Sequence, residues 1–128
     1  MAKEEKETYV LHDGNIGNTQ IAADVVAVIA GLAAMEVEGV SSMAGNITRE
    51  LISKLGVKNL SKGVKVELTD GKVQVRLMLN LKYGYNVMDI SGKVQERVKT
   101  MIESMTGLDV TEVDVRVAGV AIDKGGTL

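Results

Sequence analysis

Apolar and polar residues alternate along two stretches joined by Asp70-Gly71: Val64, Val66 and Leu68 before it, Val73, Val75, Leu77, Leu79 and Leu81 after it. A period of two puts these side chains on one face of a sheet, and Asp-Gly is the dipeptide favoured by a tight two-residue hairpin turn. The pattern predicts a hairpin of strands over Val64–Leu68 and Val73–Lys82. Its other face carries Lys65, Glu67, Gln74, Arg76, Met78, Asn80 and Lys82. Val110 to Val117 alternates in the same way, with Val113, Val115 and Val117 inward and Glu112, Asp114 and Arg116 outward. Polar outer positions on every strand describe a sheet covered on one side only.

The spacing changes to three and four between Val87 and Thr106, where Val87, Ile90, Val94, Val98, Met101, Ile102 and Met105 recur on one helical face and Gly107 supplies the stop. A second long helix is predicted over Ala23–Val37, with Asp24 in its first turn and an end near Gly39. From Val25 to Met35 it is apolar around its whole circumference, which requires burial on more than one side. Two readings stay open. The insert or the N-terminal strand covers the second side, or the small residues Ala27, Ala30, Gly31, Ala33 and Ala34 allow close approach of a partner.

Residues 46–56 place Ile47, Leu51 and Leu55 at i, i+4 and i+8, the mark of a short amphipathic helix. Ahead of the first long helix, Tyr9–Leu11 and Thr19–Ala22 read as strands around a Gly-rich turn at Asp13–Gly17. The working order is βαββαβ with a short helical insert. The expected fold is an α+β two-layer sandwich, two long helices on one face of a mixed sheet of about four strands, its strand order open. It is expected to occupy residues 9–123, between a charged tail at 1–8 and a flexible end at 124–128.

Composition narrows the chemistry. The chain has no cysteine and one histidine, His12, which removes thiol nucleophiles and most metal centres. Aromatic residues make up 2%, so the core must be aliphatic. A net charge of −2 argues against a polyanion binder, and the outer sheet face offers mixed charge with no aromatic ring on which to stack a base. Nucleic acid is therefore not an expected partner. The basic residues Arg49, Lys54, Lys58, Lys62 and Lys65 gather around the insert, where a solvated face is favoured over an anionic partner site. The longest uncharged apolar run falls well short of the roughly 20 residues that span a bilayer, so direct membrane insertion is not expected.

No catalytic constellation emerges. His12 lies beside a turn without a serine or cysteine elbow. Glu112 and Asp114 share a face at i and i+2, but Arg76, Lys82 and Arg116 share it too, so a salt-bridged solvent face is the expected arrangement. Gly14-Asn15-Ile16-Gly17 precedes a strand and reads as a turn, and Ser91-Gly92-Lys93 lacks both the earlier glycine and the following hydroxyl of a phosphate loop. Catalytic, cofactor and metal residues are accordingly none. Candidate contact residues are Val26, Ala30, Ala33 and Ala34 of the first long helix, Leu51 and Leu55 of the insert, and Tyr83 and Tyr85 of Tyr83-Gly84-Tyr85, since exposed tyrosines often anchor interfaces.

The segments Gly17-Asn18-Thr19-Gln20-Ile21-Ala22-Ala23-Asp24, Ala30-Gly31-Leu32-Ala33-Ala34-Met35-Glu36-Val37-Glu38-Gly39-Val40, Lys62-Gly63-Val64-Lys65-Val66, Tyr83-Gly84-Tyr85 and Met105-Thr106-Gly107-Leu108-Asp109-Val110-Thr111-Glu112-Val113 occur here in order. Together they resemble the alkaline shock proteins, also called the envelope stress response family, of Gram-positive bacteria. The resemblance implies a non-enzymatic cytoplasmic protein that associates with itself. It also implies, in some members, retention near the membrane by a separate anchor protein. An alternative implied by other members is an accessory subunit of a soluble kinase of the dihydroxyacetone-kinase type.

Overall fold

In the computed structural model, which describes residues 8–12, 18–43 and 61–121, Asp70 and Gly71 both take positive φ, 50° and 77°. That is what a type I′ turn requires, and it joins β4 (Val64–Thr69) to β5 (Lys72–Lys82) in the predicted antiparallel register, Val66 opposite Val75. Around this hairpin lie β1 (Thr8–His12), β2 (Asn18–Ala22), α1 (Ala23–Met35), β3 (Val40–Met43), α2 (Val87–Thr106) and β6 (Asp109–Ala121). The fold is α+β, with a mixed four-stranded sheet as expected.

β5 is the central strand and organises the sheet. On one side β6 runs parallel to it along its whole length, from Lys72 opposite Asp109 to Lys82 opposite Ala121. On the other side β4 pairs with the first half and β3 with the last few residues, Val40 opposite Leu81 and Met43 opposite Leu79. β3 and β4 thus lie end to end in one row.

This corrects the expected strand list in two places. β2 does not join the main sheet; it forms a separate antiparallel pair with β1, Tyr9 opposite Ile21. The position is filled by β3, a Val-Ser-Ser-Met segment too short and too polar to announce itself by alternation. A hydrogen bond from Asn80 Nδ2 to Ser42 Oγ at 2.9 Å helps to seat it. The predicted helix over residues 46–56, with Leu51 and Leu55, lies outside the described residues.

Helix α2 forms over the predicted span. Asn86 caps its start by accepting from the Asp89 N–H at 3.0 Å, and Gly107 ends it in the left-handed region at φ 76°. Its stripe Ile90, Val94, Val98 and Ile102 is buried, facing the buried Val73, Val75, Leu77, Leu79 and Leu81 of β5. Helix α1 packs against both α2 and the sheet, which explains its apolar circumference: Val26, Ala27, Ile29, Ala30, Ala33, Ala34 and Met35 are all buried, while Val25 and Leu32 are exposed. Its alanines let the helix approach two neighbours closely, and the whole core is aliphatic.

The end of α2 is tied to the start of β6 by Glu103, which accepts from Lys99 Nζ at 2.9 Å and from the Val110 N–H at 3.1 Å. The lysine hydrogen bond first, then the backbone bond, holds the Glu103 carboxyl below its ordinary value. A carboxylate whose folded-state pKa is depressed adds stability above its unfolded pKa and loses it as pH falls through the folded one. The stability gap between wild type and Glu103→Gln should therefore be full at neutral pH and close under acid. Urea denaturation over a pH series would show this, and a gap that stayed constant to low pH would refute it.

Candidate functional site

Five elements converge at the end of the sheet where β5 finishes. The Lys82 N–H donates to the Gly39 carbonyl at 2.7 Å, at the entry to β3, and the Tyr83 N–H donates to the Ala121 carbonyl at 2.8 Å, at the exit of β6. The turn after α1 is tied to α2 beside them. Arg97 donates through Nε at 3.0 Å and through a second N–H to Glu36 Oε1, and Tyr85 donates its hydroxyl to Glu38 Oε2 at 3.2 Å. The Arg97–Glu36 pair is half exposed and contributes little stability, while the bond to Glu38 sets the direction in which the Tyr85 ring lies.

Gly39 makes this corner possible. Its φ is 103°, and a Cβ there would stand 2.8 Å from Ile90 Cδ1 and 2.9 Å from Tyr85 Cδ2. The ring of Tyr85 therefore rests directly against the backbone of residue 39. The glycine reads from sequence only as a helix stop; its close approach to Tyr85 and Ile90 has no local signal.

The corner presents an apolar surface. Tyr83 is 67% exposed, Tyr85 39%, Val87 45% and Met88 80%, all within one short connection and the first turn of α2. Elsewhere among the described residues the exposed large apolar side chains are dispersed: Val25 and Leu32 on α1, Met78 on the outer sheet face and Met105 near the end of α2. Next to the corner, a shallow groove of about 400 Å³ lies between the α1 turn and α2, lined by Val37, Glu38, Lys93 and Arg97.

The candidate contact residues separate into three groups. Tyr83 and Tyr85 are brought together and exposed. Val26, Ala30, Ala33 and Ala34 are buried in the chain's own core, closed over by α2 and the sheet, so a partner reaches none of them without opening the fold. Leu51 and Leu55 lie outside the described residues. Val87 reads from sequence as part of the buried stripe of α2 and Met88 falls off that stripe, yet both are exposed in the first turn of the helix; the local pattern carries no signal of where the cover over that turn ends.

On the outer sheet face Asp114 accepts from Arg76 Nε at 3.2 Å and from Arg116 Nε at 3.3 Å, the ion-paired arrangement expected of Glu112 and Asp114's neighbourhood. Among the described residues no three His, Cys, Asp or Glu side chains come close enough to hold a metal ion.

Comparison with known proteins places this geometry. The model of the alkaline shock protein 23 family, described by a cell envelope-related function, matches residues 12–122. The chain belongs to this family. Among its relatives, YqhY of Bacillus subtilis is 33% identical over 111 residues, 87% of this chain and 82% of that protein. A homologue of the stress response regulator gls24 from Streptococcus pyogenes is 32% identical over 97 residues, covering 75% of this chain and 54% of its own length. A solved structure of the MamM CTD aligns with a TM-score of 0.47 at 12% identity, over 74% of this chain and 92% of that one. The family ties the chain to the cell envelope and to stress response. The matched residues take in both helices, the four-stranded sheet and the Tyr83–Met88 corner described above.

Proposed function

We propose that this member of the family is a non-catalytic interaction module that associates with itself and serves the cell envelope through protein contacts, using the Tyr83–Met88 corner as its contact surface. The observation that carries this reading is the concentration of two tyrosines, a valine and a methionine, all exposed, on a corner braced by Gly39, Glu38 and Asn86. Tyrosine and methionine are enriched at interface centres because they offer large contact area, and a braced corner loses little entropy when it binds. The cell-envelope description of the family supports the setting. No helix among the described residues is long and apolar enough to cross a membrane, and the connection to the envelope is read as one made through a partner, an anchor protein or a further copy.

The test is a double substitution, Tyr83→Ser with Met88→Ser, followed by light scattering over a concentration series. Both side chains are exposed, so thermal unfolding should be unchanged while the dissociation constant for self-association rises about tenfold or more. Unaltered association in the double variant would remove the corner from the interface.

A further inference from the structure

β6 has β5 on one side and no strand on the other among the described residues. The first part of that open edge is already occupied by α2: Glu103 accepts from the Val110 N–H at 3.1 Å, Lys99 Nζ donates to the Val110 carbonyl at 3.4 Å, and Gln95 Nε2 donates to the Val113 carbonyl at 3.1 Å. From Val115 to Val120 no described side chain makes such a bond. The helix also runs out above this stretch. α2 is antiparallel to β6, and the eight residues from Gln95 back to its start at Val87 cover about 12 Å, whereas Val113 to Ala118 covers about 16 Å.

Open edges usually carry charge or proline that discourages pairing. Here the charge is confined to Arg116, and the Val117-Ala118-Gly119-Val120-Ala121 that follows is uncharged and small. Ala118 is exposed and stands opposite no β5 residue, because Val117 faces Leu79 and Gly119 faces Asn80. Its backbone groups are therefore the unpaired ones of a bulge. The edge is continuous with the apolar corner through the bond between Tyr83 and Ala121, and Met88 lies on the same helical face as Gly92, Gln95 and Lys99, which border β6.

We infer that β6 pairs antiparallel with β6 of a second copy across Val115–Ala121, about a two-fold axis near Ala118, which joins the two sheets into one. This deepens the self-association proposed above and rests on it. A second copy fits because the segment is complementary to itself. Antiparallel pairing about Ala118 sets Arg116 opposite Val120, so no like charges meet. It also brings the first turn of each α2, with Met88, to the axis without overlap of the two helices. Such an isologous contact closes at a dimer, leaving the outer faces free for other partners.

Ala118→Cys tests this directly, since the chain has no cysteine of its own and any disulfide must join two copies. Facing residues of antiparallel strands have Cα atoms about 4.5 to 5.5 Å apart, inside the range a disulfide needs. Mild oxidation should convert most of the protein to a covalent dimer on a denaturing gel, while Glu67→Cys, exposed on the opposite row, should stay monomeric. Ala118→Lys, which sets two ammonium groups across the axis, should turn the species seen by light scattering into monomer without changing thermal unfolding. A wild type that associates while Ala118→Cys fails to cross-link and Ala118→Lys stays associated overturns the β6 pairing and leaves self-association intact. A wild type that is monomeric at every concentration overturns both.

Discussion

Leu79→Ala should destabilise the protein by about 3 kcal/mol, as read from urea denaturation at neutral pH. Leu79 is fully buried at the place where three strands meet, with Met43 of β3 opposite it on one side and Val117 of β6 on the other. Both neighbours are held by their own ladders, so the space left by the missing carbons cannot close. Total stabilities of domains this size are roughly 5 to 15 kcal/mol, so one truncation removes a large share. Leu79→Met, which keeps the volume, should cost less than about 1.5 kcal/mol. Equal losses from the two variants would mean that packing around β5 is looser than the burial implies.

Gly39→Ala should cost about 2 to 4 kcal/mol for different reasons. At φ 103° an alanine is strained whatever space surrounds it, and its methyl group would also meet Ile90 Cδ1 and the Tyr85 ring. Ile90 can shift at modest cost because its Cδ1 is the far end of a flexible chain. Tyr85 cannot move without giving up the hydroxyl bond to Glu38. The substitution should consequently loosen the corner as well as the fold, and the near-ultraviolet circular dichroism of the tyrosines should fall in the still-folded variant. Gly39→Ala with unchanged stability would show that the turn after α1 adopts another conformation.

Where the sequence carried a strong local signal, the fold was legible in it. The hairpin is written in Asp70-Gly71 and in the alternation on either side, and α2 in a four-residue stripe with a glycine stop. β3 was not legible because Val40–Met43 is stabilised by what it pairs with, the far end of β5, and not by a pattern of its own. β2 has strand-like residues, but which sheet a strand joins is a tertiary fact. The apolar circumference of α1 correctly announced burial on more than one side, yet sequence could not say that the covering elements were α2 and the sheet; Val26, Ala30, Ala33 and Ala34 serve the core. Of the proposed contact surface, Tyr83 and Tyr85 stand out in the sequence by type and position, whereas Val87 is hidden in the apolar stripe of α2 and Met88, off that stripe, carries no local signal.

The central place of β5 has a consequence for synthesis. Its sequence from Val73 to Leu81 is apolar at every second position and contains no proline or glycine, and its two edges are covered at different times. β4 precedes it and can cover one edge at once, but the other waits for β6, which leaves the ribosome only after the whole of α2. Between those moments the nascent chain exposes an apolar strand edge able to pair with a neighbouring polypeptide. The rate at which residues 83 to 121 are translated thus sets how long this chain is vulnerable to aggregation before its own last strand protects it.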